Sequence, residues 1–391
     1  MHEHRYLEQA AALVEHYEGR VPLALYLKTH FNTFRKAGSR DRKAITELVY
    51  AYFRLGRGLQ DRNVRERIRA GVFLSDAAGS LLREALVPEW AGAWSPDPAQ
   101  RLGFLNTQGW AVSPGDLFGW KDHLSEGVEA EAFSLSMLRQ PWRFIRLRPG
   151  SEARVLERLE QSGVAFHRVE PSALGFPQAL DLEQLLGPET DYVVQDLSSQ
   201  RCARYFPGLE PQGRYGVWDA CAASGGKTLL FHDCYPESRF LETDIRPSIL
   251  ANLRKRLKTA GLSGVQDDVL DLTDPQAVTR CLGRRSFDVI LADLPCSGSG
   301  TWARSPEQQL YFTAEQLEAC CRRQRAILQQ LTGYLKPGGY LLYMTCSVFR
   351  EENEQQLAFL QDEGLLLEDS GVLAGYRQAA DTLFAGRLRQ P

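Results

Sequence analysis

The stretch Trp218-Asp-Ala-Cys-Ala-Ala-Ser-Gly-Gly-Lys-Thr228 decides the fold. It follows Tyr215–Trp218, a strand candidate, and sets Gly225 and Gly226 side by side where a strand turns into a helix. Glycine tolerates positive φ and close backbone approach, and a helix N-terminus offers unpaired N–H groups. Spacing excludes two common uses of such a turn. A Walker A loop needs a glycine five residues before Gly226, where Cys221 stands. The G-x-G-x-x-G dinucleotide pattern is also absent. A nucleotide-like ligand without a triphosphate remains.

Downstream, Leu241-Glu-Thr-Asp244 ends a second strand in an acid, 25 residues after Asp219. That is where a doubly wound nucleoside-binding sheet places the acid for the ribose hydroxyls. S-adenosylmethionine fits both features: adenine, ribose and a charged methionine tail, with no phosphate. Asp267-Asp268 follow a strand candidate at Gly264–Gln266, and either can accept from the adenine amine. Phe240–Glu242, Val289–Ala292 and Tyr340–Met344 read as further strands, and Leu250–Ala260 and Ala314–Leu335 as helices. The alternation over residues 213–349 predicts a doubly wound α/β domain.

The chain of 391 residues has eight cysteines, all after residue 201. None is spaced C-x-x-C, so zinc ribbons and thioredoxin-like sites lack support, and no metal is expected. The default for such a cysteine is a small buried hydrophobe. Two stand apart. Asp293-Leu-Pro-Cys-Ser297 and Thr345-Cys-Ser347 each follow an apolar strand, so Cys296 and Cys346 emerge at one sheet edge with Asp293. Pyrimidine chemistry gives a reason for a pair. Carbon 5 is a poor nucleophile until a thiolate adds at carbon 6. After methylation the carbon-5 proton must leave before the thiolate can be expelled, and a second cysteine can assist. An acid near ring nitrogen 3, a role suited to Asp293, stabilises the adduct, and it needs a raised pKa if it is to donate a proton. The loop has no D/N-P-P-Y/F element, which argues against an amino-group methylase. A Pro-Cys DNA cytosine methylase leaves Thr345-Cys-Ser347 unexplained.

Upstream, residues 1–70 read as helical, with Tyr6, Leu7, Ala10, Leu13, Val14 and Tyr17, then Ile45, Leu48, Val49 and Tyr52, at helical spacing. They carry 14 Lys/Arg against 8 Asp/Glu, or +6, while the whole chain is −3. Arg35, Lys36, Arg40, Arg42, Lys43, Arg54, Arg57, Arg62, Arg65, Arg67 and Arg69 would give a helical bundle a basic face for an anionic partner. Residues 71–130 have no clear element pattern; Trp90, Trp94, Trp110 and Trp120 are expected in a core or domain seam. Phe144–Arg148 alternates as a strand, Ser151 caps a helix with Val155, Leu156 and Leu159, Gly163 ends it, and Val164–Val169 is strand-like. Arg146 and Arg148 on one strand face could track an RNA backbone. The chain has no apolar run of membrane length and opens without an apolar signal core, so a soluble cytoplasmic protein, with no membrane partner and a monomer favoured, is the expectation.

Together these segments resemble the Sun-type RNA cytosine-5 methyltransferases, in particular their bacterial rRNA branch. The resemblance rests on Val194-Gln-Asp-Leu-Ser-Ser-Gln200, Asp219–Thr228, Phe287–Gly300 and Tyr343–Asn353. It implies a Rossmann-like class I methyltransferase domain, S-adenosylmethionine as cofactor and RNA, most of all rRNA, as partner. It implies Cys346 as the nucleophile and Cys296 as the cysteine of product release. It assigns the cofactor site to Cys221, Ala222, Ala223, Ser224, Gly225, Gly226, Lys227, Asp244, Asp268 and Asp293, and places Arg304-Ser-Pro-Glu307 near the substrate. Ser224 departs from the family's usual proline, and Asp267-Asp268-Val269 from its G-D-G-like element. Ser39–Arg54 resembles a helix of the NusB-like RNA-binding domain that precedes some bacterial members. The implied organisation is a mainly helical domain over 1–130, a small α/β RNA-binding subdomain over 131–205 and the methyltransferase domain over 206–391. A tRNA substrate and a non-catalytic RNA-binding assembly factor are the alternatives.

Overall fold

The computed structural model describes residues 2–33, 38–75, 80–177 and 181–391. Arg35 and Lys36 of the expected basic face lie outside them. The N-terminal helices His2–His16, Leu23–Thr33, Ser39–Arg54 and Val64–Leu74 bury one core containing Leu7, Leu13, Leu48, Val49 and Phe73. Asn63 starts the fourth helix with a capping box, its side chain accepting from the Glu66 N–H. Shorter helices, among them Ser80–Leu86 and Pro98–Thr107, extend the bundle. Trp90, Trp94 and Trp110 pack on this core, while Trp120 packs against Phe312 and Phe349 of the C-terminal half.

The basic face is smaller than expected. Arg54 is buried and donates to the carbonyls of Met137, Arg139 and Ala303 and to Gln140 Oε1. Arg67 is buried against Tyr52 and the Gly56 carbonyl. A charge with several fixed acceptors is a structural clamp.

A small antiparallel sheet follows, of β1 (Arg143–Leu147), β2 (His167–Glu170), β3 (Ala173–Phe176) and β4 (Tyr192–Val194), in the order β2-β3-β1-β4. The helix Glu152–Ser162 covers it with Val155 and Leu159 and stops at Gly163, whose φ is +68°. β1 lies inside the sheet, and Arg146 and Arg148 are buried, both bound to Asp233. They face the next layer, which removes the expected arginine track for RNA.

The C-terminal half is a seven-stranded sheet of β5 (Gly216–Asp219), β6 (Arg239–Asp244), β7 (Gln266–Val269), β8 (Phe287–Asp293), β9 (Leu335–Thr345), β10 (Leu366–Leu373) and β11 (Leu383–Arg389). The order is β10-β11-β9-β8-β5-β6-β7, parallel except where β11 pairs antiparallel with β9 and β10. The expected helices are present with shifted ends. Pro247 opens the first, Pro247–Thr259, and a proline suits a first helical turn. The second, Ala314–Thr332, stops before Gly333, and Leu335 already belongs to β9. Asp267 and Asp268 lie within β7 rather than after it. The chain runs outward in opposite directions from β5 and β8, and a cleft at the carboxyl ends of such a pair is where ligands bind in open α/β sheets. Among the described residues no helix is long and apolar enough to cross a membrane.

Candidate active site

The glycine-rich turn lies at that cleft. Gly225 has φ +79° and starts the helix Gly226–Cys234. Ala223 also has positive φ, +45°, and its N–H donates to Asp244 Oδ2 at 3.1 Å. Ser224, the departure from proline, accepts from Arg256 through its carbonyl and hydroxyl. Asp219, Cys221, Ala222 and Lys227 line a cavity of about 300 Å³ together with Asp293 and Cys346. Its floor therefore comes from β5 and β8, and one wall from β9.

Lys227 is buried under this cavity and donates to Asp293 Oδ2 and Ser199 Oγ, both at 2.9 Å. Burial opposes its charge, but Asp293 and neighbouring anions outweigh burial and its pKa is raised. Ser199 lies on the helix Leu197–Arg201 that follows β4, so the segment leaving the small sheet contributes to the site. Gln195 accepts from Arg146 Nε at 2.9 Å, and its amide donates to Ser199 Oγ and to the Gly226 carbonyl. Arg146 thus fixes the amide that braces the turn.

The cysteine loops meet at the carboxyl ends of β8 and β9, which pair in parallel. Cys296 Sγ lies 3.4 Å from Cys346 Sγ. The loops are joined at several points. Ser299 Oγ sits 3.1 Å from Ser347 Oγ and accepts from the Val348 N–H. Glu352, fully buried, accepts from the Ser297 N–H at 2.8 Å and from Gln324. The Gly300 N–H donates to the Cys346 carbonyl and the Gly300 carbonyl accepts from Thr382. A β-carbon at Gly300 would lie 1.9 Å from the Thr382 oxygen, so only glycine fits. The hydrogen bond to Cys346 and then burial push the Cys296 thiol well above its ordinary pKa.

The remaining expected residues are distributed as follows. Asp244 is buried, and Arg246 holds both its oxygens at 2.9 Å. Asp267 is committed to Arg254, whereas Asp268 is exposed and accepts from the Cys281 thiol at 3.5 Å. Arg304 approaches the cavity by binding Asp381 and Asp196, both on its wall. Glu307 points elsewhere and accepts from the Leu23 N–H of the N-terminal helices. Of the unassigned cysteines, Cys202 is buried as expected, but Cys234 is exposed. Gln195, Ser199, Thr228, Glu352 and Asp381 also belong to the site, although no motif role marks them in the sequence. The first two lie in the quoted Val194–Gln200 stretch, and polar residues between apolar ones were their only signal. Among the described residues no group of three or more His, Cys, Asp or Glu is placed to hold a metal ion.

The strand order, with one antiparallel strand near its edge and a glycine turn at its reversal point, is that of the Rossmann-like methyltransferases. Residues 207–371 match the family model of the 16S rRNA methyltransferases RsmB/F. Ribosomal RNA small subunit methyltransferase B of Enterobacter sp. (strain 638) is 34% identical over 205 residues, which are 52% of this chain and 46% of that protein. The protein of the same name from Xanthomonas campestris pv. campestris is 32% identical over 276 residues, 67% of this chain and 60% of its own length. The chain thus spans about half the length of the curated relatives it matches. A methyltransferase homolog protein from Pyrococcus horikoshii shares the fold, with a TM-score of 0.57 at 23% identity over 74% of this chain and 98% of that one.

Proposed function

We propose that the protein transfers a methyl group from S-adenosylmethionine to carbon 5 of a cytidine in small-subunit rRNA, through a covalent adduct on Cys346. The observation that carries this reading is the pair of sulfurs 3.4 Å apart at the edge of a cavity whose other side is the glycine turn.

The residues present fit the cofactor. Asp219 Oδ1 is buried on the cavity wall with no protein partner, and an acid in that state accepts a cationic amine. Asp244 closes β6 and offers a carboxylate for ribose hydroxyls once Arg246, more than half exposed, swings aside. Bound there, S-adenosylmethionine supplies an electrophilic methyl group.

The chain's own residues account for the remaining steps. Cys346 adds to carbon 6 of the base, and the electron pair moves onto carbon 5 and ring nitrogen 3. Asp293 with Lys227 behind it is a neutral pair facing the cavity, and the positive charge of Lys227 offsets the negative charge that develops on the ring. Contact with Cys346 and burial raise the Cys296 pKa, so Cys296 can donate a hydrogen bond toward the sulfur of Cys346, the nucleophile of this reading. After methylation Cys296, once it has given its own proton to solvent, takes the carbon-5 proton, the electron pair of that C–H bond re-forms the carbon 5–carbon 6 double bond, and the thiolate of Cys346 departs.

The test is transfer of labelled methyl groups to small-subunit rRNA from cells lacking the gene, followed by bisulfite sequencing. A single protected cytidine in that RNA is the expected result. Label appearing in tRNA alone, or no label in any RNA, would overturn the assignment.

A further inference from the structure

Beneath the glycine turn lies a group that the proposed chemistry does not use. Glu242 is fully buried on β6, beside Asp219 on β5. Thr228, on the first turn of the helix Gly226–Cys234, stands between them. Its Oγ1 is 2.8 Å from Asp219 Oδ2 and 2.8 Å from Glu242 Oε2. A hydroxyl carries one hydrogen. It donates to one carboxyl and must accept from the other, which therefore carries a proton itself. Asp219 is the one on the cavity wall, with Lys227 nearby to favour its charge. Among the described residues no cation faces Glu242: Asp219 on β5 and Asp267 on β7 are its charged neighbours, and Thr228 its hydrogen-bond partner on the helix.

We propose that Glu242 is a positioning residue for the cofactor: as a neutral acid it donates to Thr228, which donates to Asp219 and keeps that carboxylate aimed into the cavity. The inference rests on the cofactor reading above and adds to it a proton that the site must hold. Burial and then the charge of Asp219 push Glu242 well above the usual carboxylate range. Asp219 itself is pushed up to about 7, chiefly by burial, with Thr228 and Lys227 acting the other way. The sign for stability follows. A folded-state acid with a raised pKa contributes fully below its unfolded value of 4.5, and the contribution is lost as pH rises through the folded value. Above that point two adjacent buried carboxylates repel each other, and the chain Glu242–Thr228–Asp219 loses its directionality.

Calorimetric titration with S-adenosylmethionine from pH 6 to 9 tests this on the full-length protein, its Glu242→Gln variant and its Glu242→Leu variant. A glutamine amide donates to Thr228 at every pH, so Glu242→Gln is expected to match wild-type affinity at pH 6. Wild-type affinity is expected to fall at least fivefold more than that of Glu242→Gln by pH 9. Glu242→Leu keeps the packing without the donor; it should bind more weakly at pH 6 and also lack the extra fall. Infrared difference spectra report the proton without the cofactor: a protonated-carboxyl band at neutral pH in wild type should be lost in both variants. Parallel pH profiles, or a band unchanged by both substitutions, would overturn the inference and leave the functional reading standing. Wild-type protein that binds no S-adenosylmethionine at any pH would overturn both.

Discussion

Cys296 and Cys346 are 50 residues apart in the chain, yet their sulfurs lie 3.4 Å apart. Parallel pairing of β8 with β9 brings them together, and the Ser297–Ser299–Ser347 hydroxyls hold the two loops in register. Under the proposed chemistry their roles differ, so their substitutions should differ. Cys346→Ala is expected to reduce methyl transfer by at least about three orders of magnitude with the fold intact, as removal of a nucleophile does. Single-turnover rates and a circular-dichroism melt would check both halves. Transfer at near wild-type rate would assign the nucleophile elsewhere.

Lys227 is the only cation bound to Asp293 among the described ion pairs. Lys227→Met should cost about 2 kcal/mol of stability. That is below the usual penalty for breaking a buried pair, because Asp293 is a third exposed and water recovers part of its solvation. Denaturant titration measures this. Methyl transfer should fall more than tenfold, because the charge developing on the ring loses its nearby cation. A variant of unchanged activity would remove the pair from the mechanism.

Gly300 occupies the point where three backbones converge. Gly300→Ala must push Thr382 or the Cys346 loop aside, an overpacking cost of about 2–3 kcal/mol. The expected signature is a lower melting temperature together with more than tenfold slower transfer, although both cysteines remain. Wild-type behaviour in both assays would show that the loop spacing is not critical.

Arg146 offers a test of the reassigned arginines. Its guanidinium binds Asp233 and orients Gln195 against the Gly226 carbonyl. Arg146→Ala should therefore raise the KM for S-adenosylmethionine several-fold and leave the salt dependence of RNA binding unchanged, since no phosphate contact is lost. A shallower salt slope with unchanged KM would return Arg146 to the RNA surface.

These arginines show where the sequence was legible and where it was not. The α/β alternation, the glycine turn and the two cysteine loops are local patterns, and the strands, turn and sheet edge appear where those patterns place them. Arg146 on β1 and Arg148 just past its end share a side as expected, but alternation does not say which face meets water. Here the second face meets Asp233, 85–87 residues away. Arg54 belongs to a helix that was predicted, but its acceptors at Met137 and Ala303 come from distant segments. Glu242 stood two residues before the chosen acid, Asp244, on the same strand face. The proposal for its proton rests on the 2.8 Å distance to Thr228, which no sequence pattern carries.

The most direct test of the account is a trapping experiment. Cys296→Ala protein, incubated with S-adenosylmethionine and unmethylated small-subunit rRNA, should accumulate a protein–RNA complex that survives denaturing electrophoresis, because the release step is impaired while Cys346 still attacks. The complex should vanish in the Cys296→Ala/Cys346→Ala double variant. Absence of any adduct with Cys296→Ala, or its persistence without Cys346, would contradict the division of roles between the two sulfurs.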